Sequence, residues 1–94
     1  MATESFEKRK ERLESYINAL SKVFDTLKDK TLTEVDKRLV DIARSYLEDA
    51  IYYMEKEDID TGLICVSYAE GLLDALRFLG RISFEWRKRK PMRV

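Results

Sequence analysis

The chain has 94 residues, 45% hydrophobic and 38% charged, with 18 Lys/Arg balanced by 18 Asp/Glu. That length suits one domain with a modest core, and zero net charge supplies no global attraction to nucleic acid or to a membrane surface. The lone cysteine, Cys65, excludes an internal disulfide framework, and the longest uncharged run, Thr61 to Ala69, falls far short of the ~20 residues of a membrane span.

The opening "MATESFEKRKER" has no apolar h-region, so a soluble, cytoplasmic protein without a secretory signal or membrane association is expected. His and Gln are absent and Asn18 is the one asparagine, beside abundant Glu, Lys and Arg. That balance matches the composition of hyperthermophile proteins.

Three helical segments follow one another, with no strand pattern before the tail. In the first, about residues 4–28, Leu13, Tyr16, Ile17, Leu20, Val23, Phe24 and Leu27 recur every three or four residues, which is one face of a helix. Thr3 or Ser5 is placed to cap its start. The interruption "KDKTLTE" offers two capping boxes: Thr31 with Glu34 first, and Thr33 with Asp36 second. A second helix, about 34–56, then carries Val35, Leu39, Ile42, Ala43, Tyr46, Leu47, Ala50, Ile51 and Met54 at helical spacing. The turn "EKEDID" ends it. Asp58 is the natural N-cap of a third helix, about 59–79, and Gly80 suits the left-handed position that closes it.

Both connections are short, so consecutive helices are antiparallel neighbours. The fold class is therefore all-α, an up-down-up antiparallel three-helix bundle over residues 1–80. A basic, aromatic-containing extension occupies 81–94. There Ile82, Phe84 and Trp86 alternate as in a strand, while Ile82 and Trp86 also stand four apart as in a continuing helix; Pro91 limits both.

The third helix is unusual. Stepping 100° per residue, Ser67, Glu70, Asp74 and Arg77 share a stripe of about 80°, and apolar residues cover most of the remainder. An ordinary surface helix has an apolar face a little over 100° wide. Two antiparallel neighbours do not easily cover this one, so either the tail or a second chain is expected to fold over it. Gly71 costs roughly 1 kcal/mol of helix propensity against Ala. It forms a ridge of small residues with Ser67 and Ala75, which points to close packing, in the bundle or between two chains, or to a groove.

The stretch "DIDTGLICVSYAEGLLDALRFLG", through Asp58, Ser67-Tyr68-Ala69, Gly71, Leu73-Asp74-Ala75 and Gly80, resembles the signature of a family of short archaeal proteins, the domain-of-unknown-function family 357. Family members often have Ala at the position of Gly62 and a small residue at that of Leu76. The resemblance implies an archaeal cytoplasmic protein with a compact helical fold, and it implies no activity.

Candidate chemistry is sparse. Without His, the usual general base and metal ligand is missing. Glycine-rich phosphate loops, paired cysteine motifs, a nucleophile elbow and the Glu-x-x-His pairs of di-iron bundles are also absent. Glu70 and Asp74, four apart, are a carboxylate pair able to share a proton or hold a hard cation; a solvated face explains them as well. "EKEDID" lacks the order of an EF-hand loop, and Cys65 points into the apolar arc as a core residue. No catalytic, metal or cofactor site is expected, and the protein is expected not to be an enzyme.

Charge is unevenly spread. The last fourteen residues carry six Lys/Arg and one Glu, a net of +5, against −5 for residues 1–80. Trp86, Arg87, Lys88, Arg89 and Lys90 are candidate RNA contacts, because basic groups meet phosphates and an aromatic stacks on an unpaired base. The leading expectation is a non-catalytic interaction or homo-oligomerisation module, with the chain itself as first candidate partner. Ser67, Tyr68, Gly71, Asp74 and Ala75 are its candidate interface or groove.

Overall fold

A computed structural model describes residues 5–27 and 32–86. It contains three helices, α1 (Phe6–Thr26), α2 (Glu34–Glu55) and α3 (Ile59–Phe78), and among the described residues there is no strand. α2 runs antiparallel to both neighbours. Arg9 near the start of α1 lies 3.7 Å from Asp60 at the start of α3, whereas Asp36 at the start of α2 lies 3.7 Å from Arg81 just beyond the end of α3. The architecture is the expected up-down-up bundle.

Each helix begins where a side chain accepts from its free N–H groups. Ser5 accepts from Lys8 N at 3.2 Å, and Asp58 from Thr61 N at 3.2 Å. At α2 the capping box is the second of the two alternatives: Asp36 N donates to Thr33 Oγ1 at 3.0 Å, and Thr33 N donates back to an Asp36 carboxylate oxygen at 3.2 Å. Thr31 lies outside the described residues. Asp36 is the one buried charged side chain among the described residues, and the cap together with Arg81 accounts for both of its oxygens.

Helices α2 and α3 end in the same way. Gly80 (φ +77°) follows α3, with Gly80 N donating to Arg77 O and Arg81 N to Leu76 O. After α2, Glu57 N donates to Met54 O and Asp58 N to Tyr53 O, and Glu57 holds the left-handed position at φ +63°. These are paired Schellman closures. The second uses a residue with a Cβ where glycine is usual, so "EKEDID" carries no glycine signal for its tight turn.

The core joins Leu13, Ile17, Leu20 and Val23 of α1 to Val40, Ala43, Leu47 and Ala50 of α2 and to Val66, Ala69, Leu73 and Leu76 of α3. Ile82, beyond α3, closes one end. Close approach among the helices relies on Ala43, Ala50, Gly62 and Ala69, all buried. A Cβ on Gly62 would sit 2.6 Å from Leu13 Cδ2 and 3.4 Å from the Ala50 carbonyl, so the missing side chain is the space that fully buried Leu13 occupies. Leu76 is fully buried in this core.

The two left-handed positions predict opposite responses. Glu57→Gly should raise stability by about 0.5–1 kcal/mol by relieving a left-handed residue, and Gly80→Ala should lower it by about 1 kcal/mol. Urea unfolding reads both, as shifts of midpoint without a change of slope.

Candidate interaction surface on the third helix

Helix α3 is organised back to front relative to an ordinary surface helix. Its polar residues face other parts of the chain, and a wide apolar side faces outward. Glu70, Asp74 and Arg77 are half-buried, not solvated as a free polar stripe; Ser67 alone of the four is exposed. Trp86 Nε1 donates to Asp74 Oδ1 at 2.9 Å, and Arg77 Nη2 donates to the same oxygen at 3.2 Å. The Arg77 guanidinium lies over the rings of Phe78 (4.7 Å) and Phe84 (5.3 Å), and Phe84 meets Trp86 edge to face at 4.9 Å. The tail therefore does fold back on α3, but over its charged side. Its described part, through Trp86, is neither helix nor strand.

This arrangement bears on several expectations. Asp74 is spent on Trp86 and Arg77, which argues against its sharing a proton with Glu70. Among the described residues no group of three or more His, Cys, Asp or Glu is placed to hold a metal ion. Between α1 and the tail, Glu11, Glu14, Asn18 and Lys22 face Phe84 and Trp86 across an open cleft of about 800 Å³. Of the candidate RNA contacts, Trp86 is partly buried and Arg87, Lys88, Arg89 and Lys90 lie outside the described residues. Cys65 is buried as expected. Burial, reinforced by the Asp49 and Asp58 carboxylates, pushes its thiol pKa up, which suppresses the reactive thiolate.

On the adjoining side, which faces away from the core, Tyr68, Gly71 and Ala75 are all exposed. A Cβ built on Gly71 meets nothing within 4 Å. Gly71 thus has no packing role inside the bundle, contrary to one of the expectations above; the small residues that let helices approach are Gly62, Ala69, Ala43 and Ala50. Their signal was present in the sequence, since each pair is seven apart on a face that also holds Val66 or Leu47.

The outward side of α3 is broad. Ile64, Tyr68, Leu79 and Phe78 are more than half exposed, Phe78 at 75% and Leu79 at 69%. Tyr46 of α2 stacks on Tyr68 with centroids 5.2 Å apart and 16° between planes, carrying the surface across to exposed Ile42 and Val35. A shallow dent of about 360 Å³, walled by Leu63, Ile64, Ser67 and Tyr68, lies near its N-terminal end. Asp74 and Arg77 turn toward the tail and Asp60 lies beside Arg9, so Ile64, Tyr68, Gly71 and Ala75 run along this side without a charged residue of α3 between them. With large side chains of 150–250 Å² each, the exposed fractions amount to roughly 600–800 Å², above what a monomer ordinarily leaves uncovered.

The model of a family described as a protein of unknown function (DUF357) matches residues 11–82. The chain belongs to that family. The match takes in all of α2 and α3, most of α1, and the tail as far as buried Ile82. No curated protein and no solved structure matches the chain. As a DUF357 protein it inherits no assigned activity, and the surface has to speak through its own chemistry. No helix of the described residues is long and apolar enough to cross a membrane.

The contact between Trp86 and Asp74 is directly observable, because Trp86 is the only tryptophan. Asp74→Ala should red-shift its emission and raise its quenching by acrylamide, as the indole loses a charge-assisted acceptor. An unchanged spectrum would mean that the tail is held without this bond.

Proposed function

We propose that this DUF357 protein is a non-catalytic protein–protein interaction module that docks through the outward face of α3 and the adjoining flank of α2. The occupant is another helical surface, apolar and uncharged, matching the chemistry of the face. The observation that carries the reading is Gly71. It costs roughly 1 kcal/mol of helix propensity, it needs no special backbone angle, and none of the described residues fills the space above it. The compensation for that cost then lies outside the chain.

A non-enzymatic role is part of the same proposal. It is supported by the absence of His and by the engagement of Asp74, the most promising carboxylate. A cytoplasmic location and a high growth temperature belong to it too, supported by the lone cysteine and by the scarcity of amide residues in a charge-rich composition; an archaeal origin is what the family resemblance implies. RNA binding through the tail is the weaker reading, because Trp86 already donates to Asp74 and a base would have to displace it to stack.

The test compares substitutions on this face with substitutions in the core, at concentrations where the chain is monomeric. Gly71→Ala should stabilise the monomer by about 1 kcal/mol. Ile64→Lys with Leu79→Lys should change stability by less than about 0.5 kcal/mol, as for ordinary surface positions, while abolishing uptake of a hydrophobic dye by the native protein. A loss of about 2–5 kcal/mol, the range of core truncations, would show the face to be internal packing and overturn the reading.

A further inference from the structure

The geometry points to a second copy of this chain as the occupant, docked face to face about a two-fold axis that passes level with Gly71 and runs across the helices. This rests on the docking reading above and names its partner. Such an axis makes α3 antiparallel to its mate and sets each position as far before Gly71 opposite the one equally far after it. The face has matching features at matching distances. Phe78, seven residues after Gly71, is the most exposed large apolar side chain of the described residues; Ile64, seven residues before it, walls the shallow dent with Leu63, Ser67 and Tyr68. Each Phe78 therefore meets the dent of the other copy, an aromatic in a pocket, twice over. Between these ends the ridge of Ser67, Gly71 and Ala75 lets the two α3 helices come close.

Charge supports the same axis. Tyr46 stacks on Tyr68, Asp36 pairs with Arg81, and the Ala50 carbonyl lies above Gly62, so Gly71 stands level with residues 43–44 of α2. Arg38 and Asp49 flank that level at nearly equal distance. Both are exposed, both stand beside Ile42 around the helix, and neither is ion-paired among the described residues. The two-fold sets Arg38 of one copy against Asp49 of the other at each rim. A two-fold running along the helices would instead carry the two α2 helices to opposite sides and leave Arg38 and Asp49 without each other. The uncovered apolar area of roughly 600–800 Å² per chain approaches the ~800 Å² per partner of a standard stable interface.

The experiment is sedimentation equilibrium of the full chain from about 1 μM to about 1 mM, a range that brackets weak and strong dimers. The wild type should be a dimer. Phe78→Ala should weaken it about thirty-fold or more, as for a central aromatic anchor, with helical content unchanged because the ring is mostly exposed in the monomer. Arg38→Asp and Asp49→Arg should each weaken it about tenfold, by setting like charges together at both rims. The two combined should return the constant to within about threefold of wild type, since both pairs are then reversed. A wild-type monomer up to about 1 mM overturns the second copy as partner, while the docking reading keeps its own stability test. A dimer indifferent to Phe78→Ala, or one that the paired charge reversal fails to restore, overturns this two-fold arrangement.

Discussion

A helix held by two neighbours, antiparallel α2 and parallel α1, and by a short tail has only part of its circumference covered, and α3 carries apolar side chains over most of its own. That mismatch organises the structure. The bundle covers Val66, Ala69, Leu73 and Leu76 with α1 and α2. The tail covers the side that bears Asp74 and Arg77. What remains is apolar and outward, and in a single chain it stays in contact with water.

The tail goes to the charged side because the partners for its own polar groups are there. An indole N–H buried without an acceptor is costly, and Asp74 supplies one. Arg77 then neutralises Asp74 and stacks on the two phenylalanines that bracket it. The apolar side of α3 offers Trp86 no such acceptor. Polar satisfaction thus decides where the tail lies, and the hydrophobic surplus is left over on the other side.

Two classes of small residue serve two different ends. Gly62, Ala69, Ala43 and Ala50 sit inside, where removing side-chain volume brings helix axes together and makes room for Leu13. Ser67, Gly71 and Ala75 lie outside, exposed, and nothing among the described residues comes within 4 Å of a Cβ built on Gly71. In a sequence the two classes look alike, since both recur at helical spacing among larger apolar residues. Only the direction in which each faces separates a packing residue from one available to a partner.

Much of the architecture was legible from local signals. The apolar periodicity of α1 and α2, the cap at Asp58, the cap of α1 as one of Thr3 or Ser5, and the left-handed stop at Gly80 are short-range effects, satisfied within a turn of helix, and they set three helices in antiparallel succession. The choice of Thr33 over Thr31 as cap was not decided locally, because both present the same motif; Asp36 is favoured by its position at the core edge, where Arg81 reaches it from the far end of α3. The left-handed Glu57 carried no signal, since the turn takes its shape from the two helices it joins. Above all, a helical wheel shows that α3 is apolar nearly all round but gives no reason to prefer one direction for the core. That direction came from the tertiary structure, where Leu13 needs the gap at Gly62 and Trp86 needs the carboxylate of Asp74. Those two long-range demands turn Gly71 outward.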